Sequence, residues 1–534
     1  MIPRKIILIF LFACLIITYI LSTYDTSVLD RGLLAITLGL ATLLMFIPFV
    51  TKYNKQIKER YMRPTVIFIL GYFIVFFQKY YDLLFGLIEE TDPVFVNEGL
   101  INRSLIISVS ALIMFYIGYF LFRYRDKKRK VATRRQAEQK QAEQNPTEQK
   151  QAEQNPTEQN PTEQKQTYQK QAFSKHTHRE QTYIYRTGPL KILFWIVTAL
   201  LCMISIKEFA SGEYSQAYLE KNAGSLGNYM SILYLVVFFT LLTVSVYNCI
   251  TLKIFNLKGF IRQFGIISLV CLLGYSAIMV LIGRRLDIIV MITGLAIGIA
   301  YIKNMKPKLW KLVIALAVVT YIVSIIGIVR KVDDSSSISS KVEAMQYVML
   351  EQKSIIPTTT ELAGSLETFN YALDYVPSKH DYLYGSFHVR NIVSAIPFSS
   401  HFTANLFDPH WMYRSSDFFI TYIIQGENYS YGNGSSINAD LYLNYGIPGI
   451  IIGLFLLGVI FYRVEYNFCT KSNPKLLSIL FFLIFAGYSL PYCRAGYLAP
   501  INYIIFCYIL VTIYSHHFKK HLKRSVPVNK KAQA

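Results

Sequence analysis

The residues best suited to chemistry in this chain are two adjacent arginines, in the turn Gly283-Arg284-Arg285 between the apolar runs 264–282 and 286–302. A guanidinium is planar and grips phosphate oxygens with two parallel hydrogen bonds. Charged hydrogen bonds contribute roughly 1.5–3 kcal/mol each, so two or three would hold a pyrophosphate. A lipid-linked diphosphate presents such oxygens at headgroup depth. Arg390 and Arg414 extend this set. Arg330 and Arg494 read instead as side chains that snorkel to ordinary headgroups. A second constellation is Tyr431–Gly458, a glycine-rich turn that runs into an apolar helix. Ser435 or Ser436 could cap that helix. Asp440 and Asn444 lie i, i+4 on one face, where a polar pair should look into the bundle or a wet cavity. The bland alternative is a capped helix start with polar residues near water. A third need is a base for a sugar hydroxyl. Glu361 and Glu367 flank an amphipathic stretch, 361–375, and Glu361 is the first candidate, followed by His401 and Asp440. His380, His388 and His410 lie in the same region. Asp333-Asp334 hints at a metal, but it continues into Ser335–Ser340, which reads as loop, so neither metal nor cofactor is expected.

These residues need a membrane scaffold to position them. The chain has 534 residues, is 53% hydrophobic and carries a net charge of +21. Apolar runs recur along nearly all of it, which excludes a soluble enzyme with an anchor. A spanning helix needs about 20 apolar residues, and about twelve such spans can be read. They are 5–22, 31–50, 64–85, 104–122, 189–206, 229–250, 263–282, 286–303, 309–329, 441–462, 474–490 and 499–518. The first resembles a signal-peptide core, but no small-residue cleavage site follows it, so it is kept as a span. The expected fold is an all-α polytopic membrane protein.

Lysine and arginine in short loops set its orientation. Lys52 to Arg63, Arg123–Lys130, Lys253 to Arg262, Lys303 to Lys311 and Lys519–Arg524 fall on one side. The alternate loops are acidic or mixed, with Asp25, Asp30, Glu89, Glu90, Asp92, Glu208, Glu213 and Glu220. Both termini are therefore expected in the cytoplasm, and Arg284-Arg285 outside. The positive charge is the positive-inside signal plus attraction to anionic lipid, and no nucleic acid is implied. The seven cysteines lie in or beside spans and show no disulfide or metal spacing.

The chain divides into residues 1–122 with four spans, a cytoplasmic loop 123–188, spans again over 189–329, an outer loop 330–440, three spans over 441–518, and a basic tail 519–534. Within 123–188 the pentapeptides KQAEQ, NPTEQ, KQAEQ and then NPTEQ twice fill Lys140–Gln164. That composition cannot bury a core and reads as a disordered linker, with a docking tail as the functional alternative. The loop 330–440 is too long for a plain connector. Its short apolar stretches, 391–397 and 418–424, suggest interfacial or re-entrant helices, and the whole reads as a lid over the outer mouth of the bundle.

The order of these features resembles the Wzy-type O-antigen or capsule polysaccharide polymerases, in their oligosaccharide repeat-unit branch. The resemblance rests on Gly283-Arg284-Arg285, on Glu361-Leu362-Ala363-Gly364-Ser365, and on Tyr384-Gly385 followed by Ile396-Pro397. Its firmest part is Gly434-Ser435-Ser436 with Ala439-Asp440-Leu441-Tyr442-Leu443-Asn444-Tyr445-Gly446 and Gly449. It covers most of the chain from about residue 185. Such proteins often carry Glu where this chain has Asp440, and the pentapeptide insert is outside the pattern. The resemblance implies a multi-pass protein of the bacterial cytoplasmic membrane and a metal-independent glycosyltransferase without nucleotide-sugar donors. Its substrate would be an undecaprenyl-diphosphate-linked oligosaccharide. A growing glycan would pass as a block from that carrier to a fresh repeat unit. A chain-length regulator and a flippase are the implied partners.

Two other classes fit the same outline. A lipid-linked oligosaccharide flippase should show charges deep in several spans and paired broken helices in two halves. A ligase that moves the glycan to another acceptor would share donor and fold. In a deletion strain, single repeat units on the outer leaflet would mark a polymerase, units trapped inside a flippase, and full-length unattached chains a ligase.

Overall fold

A computed structural model describes residues 4–24, 28–50, 63–122, 183–210, 226–281, 286–303, 314, 353–396, 410–429, 432–469 and 473–521. The predicted span 309–329 apart from residue 314, the Arg284-Arg285 turn, His401 and the pentapeptide segment lie outside these residues. The architecture is that of an all-α polytopic membrane protein. Its first four helices are α1 (Arg4–Leu21), α2 (Arg31–Val50), α3 (Pro64–Leu84) and α4 (Glu98–Phe122). Then come α5 (Gly188–Ala210), α6 (Leu226–Thr251), α7 (Leu257–Phe264), α8 (Ile266–Leu281) and α9 (Leu286–Ile302). Among the described residues five helices are long and apolar enough to cross a membrane. A sixth joins them if α7 and α8, bent by 79° at Gly265, form one span. Shorter apolar helices pack among them.

The long loop contributes four short helices, α10 (Thr360–Ala363), α11 (Leu366–Tyr375), α12 (Ser386–Ser394) and α13 (Ser416–Gln425). The expected stretch 418–424 is indeed helical, inside α13. The chain closes with α14 (Ile437–Cys469), α15 (Leu476–Tyr488) and α16 (Ile501–His517). One departure from pure helix is a strand pair. Tyr183–Tyr185 runs antiparallel to Lys519–His521, with Tyr183 opposite His521. It ties the chain ahead of α5 to the chain after α16.

The core is built around α3, α4 and α14. Small residues let helix backbones approach closely where lipid gives no hydrophobic drive. A Cβ on Gly118 would lie 2.1 Å from the Phe455 carbonyl oxygen, and one on Gly458 2.0 Å from that of Phe115. Phe68 fills the adjoining space against Phe115 and Phe461. This crossing fixes α14, whose first turns carry Asp440 and Asn444. The α9 and α15 helices pack antiparallel. Gly487 lies on the Val290 carbonyl and Tyr301 on Phe482. Leu286, which follows the arginine turn, therefore starts at the end of α15 that leads into residues 489–497.

Polar ties hold the long loop to this scaffold. Asp82, fully buried near the end of α3, accepts the Ser354 hydroxyl and the Ile355 N–H, each at 2.8 Å. The Gln78 amide donates to the Ile356 carbonyl at 2.9 Å, and Thr359 donates to its oxygen. Thr360, and Glu361 behind it, are thus hung from α3. The Asn370 side chain of α11 donates to the Val94 carbonyl at 2.7 Å.

Candidate active site

The first turns of α14 are buried on every side from Ile437 to Asn444. Gly446 then breaks the helix, with φ 67° and ψ −159°, a conformation open mainly to glycine, and Pro448 follows. Tyr382 stacks over this glycine. The Leu443 carbonyl beside the break accepts the Leu383 N–H at 2.9 Å. This bond, with the Tyr442 hydroxyl on the Val376 carbonyl at 3.0 Å, docks the segment before α12 against α14. Gly385 opens α12 at φ 85°. That geometry turns His388 inward.

His388, which sequence alone ranked low, is the histidine that the structure brings to Asp440. Its Nε2 lies 2.9 Å from Asp440 Oδ2, and its Nδ1 3.1 Å from the Tyr445 hydroxyl. Asp440 Oδ2 also accepts the Tyr497 N–H at 2.7 Å, while Oδ1 has no hydrogen-bond partner among the described residues. Asp440 is 1% exposed and His388 7%. A carboxylate oxygen accepts, so Nε2 carries a hydrogen, and in the neutral ring Nδ1 keeps its lone pair. A basic nitrogen oriented by a buried acid is the arrangement that general acid–base catalysis needs. Nothing in the sequence separates His388 from the loop's other histidines, because the partner that selects it is 52 residues away.

Asn444 lies beside Asp440 as its spacing requires, fully buried. Its amide nitrogen is spent on the Asp440 carbonyl at 2.8 Å. Its Oδ1 has no hydrogen-bond partner among the described residues. Glu361 faces Arg494, with Nη1 3.7 Å from Oε1. Arg494, read from sequence as a headgroup-reaching side chain, is thus held by an acid. Arg494 ends the short turn Pro491–Arg494, three residues before the Tyr497 that binds Asp440. One segment, 491–497, therefore joins both acids, and a Cβ on Gly496 would stand 3.5 Å from the Asp440 carboxylate and from the Ser416 hydroxyl. Arg390 of α12 donates to the Tyr413 carbonyl at 2.7 Å, which brings it beside Arg414 in the turn Trp411–Arg414. Among the described residues no three His, Cys, Asp or Glu side chains converge as metal ligands would.

The structure thus unites Asp440, Asn444 and His388, attaches Glu361 through residues 491–497, and sets Arg390 and Arg414 together. Compared with known proteins, the chain matches no curated protein and no solved structure. Over residues 158–521, well over half its length, it matches the family model for O-antigen polysaccharide polymerase Wzy. The chain belongs to the O-antigen polysaccharide polymerase Wzy family.

Proposed function

We propose that this polymerase joins undecaprenyl-diphosphate-linked oligosaccharide repeat units on the outer face of the bacterial cytoplasmic membrane. In this reading a growing glycan leaves its lipid diphosphate and is transferred as a block to a sugar hydroxyl of a fresh unit. The observation that carries it is the buried Asp440–His388 pair, with His388 Nε2 and Asp440 Oδ2 2.9 Å apart. Such a transfer needs a base for the acceptor hydroxyl and positive charge for the leaving diphosphate. His388 Nδ1 supplies the base, and Asp440 fixes its tautomer and stabilises the imidazolium that forms. Arg284 and Arg285, with Arg390 and Arg414 toward the glycan, neutralise the diphosphate, so that arginines stand where other transferases use a metal. Asn444 supports Asp440 from one turn away, and Glu361 holds Arg494 beside the site. His401 stays a secondary candidate on the loop.

Placement of the turn outside rests on charge: the basic loops alternate with acidic ones along the sequence. The start of α9 at the end of α15 that leads into residues 489–497 is consistent with it. A flippase reading has less support, because the family that the chain matches is one of polymerases.

The test uses purified protein in lipid nanodiscs with lipid-linked repeat units extracted from a strain lacking this chain. Products are resolved as a ladder on a gel, with and without chelator. His388→Gln and Asp440→Asn should leave single repeat units while donor binding persists. A wild-type ladder from both variants would sink the assignment. Loss of activity on chelation, restored by a divalent ion, would replace the arginines with a metal.

A further inference from the structure

The Asp440–His388 pair does not itself meet the surface. Both of its members are buried, and both ring nitrogens of His388 are engaged. The outward end of the chain of hydrogen bonds is Tyr445, which is 44% exposed. Its hydroxyl faces the Nδ1 lone pair, so it donates there and leaves its own lone pairs for another donor. Two glycines hold this hydroxyl in place. A Cβ on Gly385 would come within 2.5 Å of it, so only glycine leaves room at that point of the loop. Gly446, the residue after Tyr445, makes the break that swings the ring out of the helix path.

One turn earlier, Tyr442 shows what a packing tyrosine looks like here. It is 1% exposed and gives its hydroxyl to the Val376 carbonyl. Tyr445 differs in each respect: it is exposed, bonded to a titratable ring, and seated on a glycine.

We propose that Tyr445 is a catalytic residue of the polymerase, a proton relay between the acceptor sugar hydroxyl and His388. This rests on the reading of His388 and Asp440 as the base. The acceptor hydroxyl gives its proton to Tyr445 Oη as the phenolic proton passes to His388 Nδ1. The acceptor oxygen bonds to the anomeric carbon of the donor glycan. The bond from that carbon to the diphosphate oxygen breaks, and its electron pair leaves on the diphosphate. The proton on the imidazolium returns through Tyr445 to the released lipid diphosphate, which restores the enzyme. A chain Asp440, His388, Tyr445 therefore does what acid, histidine and hydroxyl do in other triads, except that the hydroxyl passes a proton and forms no covalent bond.

The test compares Tyr445→Phe, Tyr442→Phe and His388→Gln in the nanodisc assay, with a further protein carrying difluorotyrosine at position 445. Difluorotyrosine keeps the hydroxyl and nearly the same shape but is a stronger acid. Tyr445→Phe should lower the initial rate about 100-fold, as loss of a positioned proton carrier does, with KM for the lipid-linked donor little changed. Tyr442→Phe, which loses only a bond that helps dock the loop, should lose far less rate than Tyr445→Phe and leave the pH–rate profile unmoved. Difluorotyrosine should retain activity and move the pH–rate profile to lower pH. A wild-type rate in Tyr445→Phe beside an inactive His388→Gln would overturn the relay and leave the base in place. A wild-type rate in His388→Gln would overturn the base itself. An unmoved pH profile with difluorotyrosine would reduce Tyr445 to packing, and that variant decides the matter even if Tyr445→Phe does not fold.

Discussion

The two ends of α14 each bury a carboxylate, and they use it differently. Glu465, near the end of the helix, is 4% exposed and accepts on both oxygens. Its Oε1 takes the Thr65 N–H at 2.9 Å, its Oε2 the Tyr119 hydroxyl at 2.6 Å, and Arg63 Nη1 stands 3.9 Å away. The cluster ties the start of α3, the end of α4 and the end of α14 together. Asp440, at the start of the same helix, concentrates its hydrogen bonds among the described residues on one oxygen, and its partner is a histidine, not an arginine. Burial of a charge is costly unless it is paired. Glu465 is paired for good, since arginine does not release its proton. Asp440 is paired with a ring that can gain and lose one. The difference teaches that burial and an ion pair alone do not mark a catalytic acid; in the proposed function it is the titratable partner and the route outward that set Asp440 apart.

The sharpest way to break this comparison is to neutralise each acid in turn. Asp440→Asn should lower the polymerisation rate on the order of 1,000-fold, within the span usual for loss of acid–base catalysis, with Tm near wild type. Glu465→Ala breaks a buried ion pair and should cost about 3–5 kcal/mol of stability, seen as a lower Tm in detergent. Its rate per folded molecule should persist. If Glu465→Ala instead lost rate at unchanged Tm, the two ends would have exchanged roles.

The arginine turn sharpens the same contrast, since in the proposed function its charge serves substrate and not fold. Arg284→Ala or Arg285→Ala should lose activity about 100-fold, for about 3 kcal/mol of lost transition-state stabilisation. Arg→Lys keeps the charge without the two-pronged fit and should retain part of the rate. Initial rates on the lipid-linked repeat unit, beside melting curves, check both. Full activity in both alanine variants would remove these arginines from the site.

Much of the scaffold was legible because membrane spans write themselves as long apolar runs. Among the described residues the predicted spans fall on helices, except that 263–282 is broken at Gly265, and five helices, or six with that bent pair, are long and apolar enough to cross a membrane. Helices do occur in the long loop, as its apolar stretches suggested. Asp440 and Asn444 were legible because their i, i+4 spacing is local. His388 was not, because its role arises only when Leu383 bonds to Leu443 and brings α12 onto α14. The Gln78 and Asp82 ties of α3 were hidden for a related reason. Inside an apolar run each reads as an isolated polar residue, and the backbone groups they satisfy belong to a loop some 270 residues further on, as with Asp82 and Ile355 at a separation of 273. The contact of Arg494 with Glu361 was hidden too, because its position beside a span suggests snorkelling, whereas the acid it faces comes from the long loop.

Glu361 stands between the two cases and gives the smallest expected effect. It is the base that its sequence context suggests, yet it faces Arg494, with side-chain exposures of 18% and 31%. Such a partly wet pair contributes only about 0.2–1 kcal/mol to stability, so its loss should barely move Tm. If Glu361 only positions Arg494, Glu361→Gln keeps a hydrogen-bonding group at the same place and should lose about tenfold in rate or less, the size of one weakened contact. Arg494→Ala should lose a similar amount, and the double variant should lose little more than either alone, because both disrupt one interaction. If Glu361 were the base, the pattern would change in kind. Glu361→Gln would then fall as far as Asp440→Asn while Arg494→Ala kept most of its rate. Initial rates of the four proteins decide between these outcomes, and the second would move the proton acceptor from α12 to α10 while leaving the buried Asp440–His388 pair to hold the loop against the bundle.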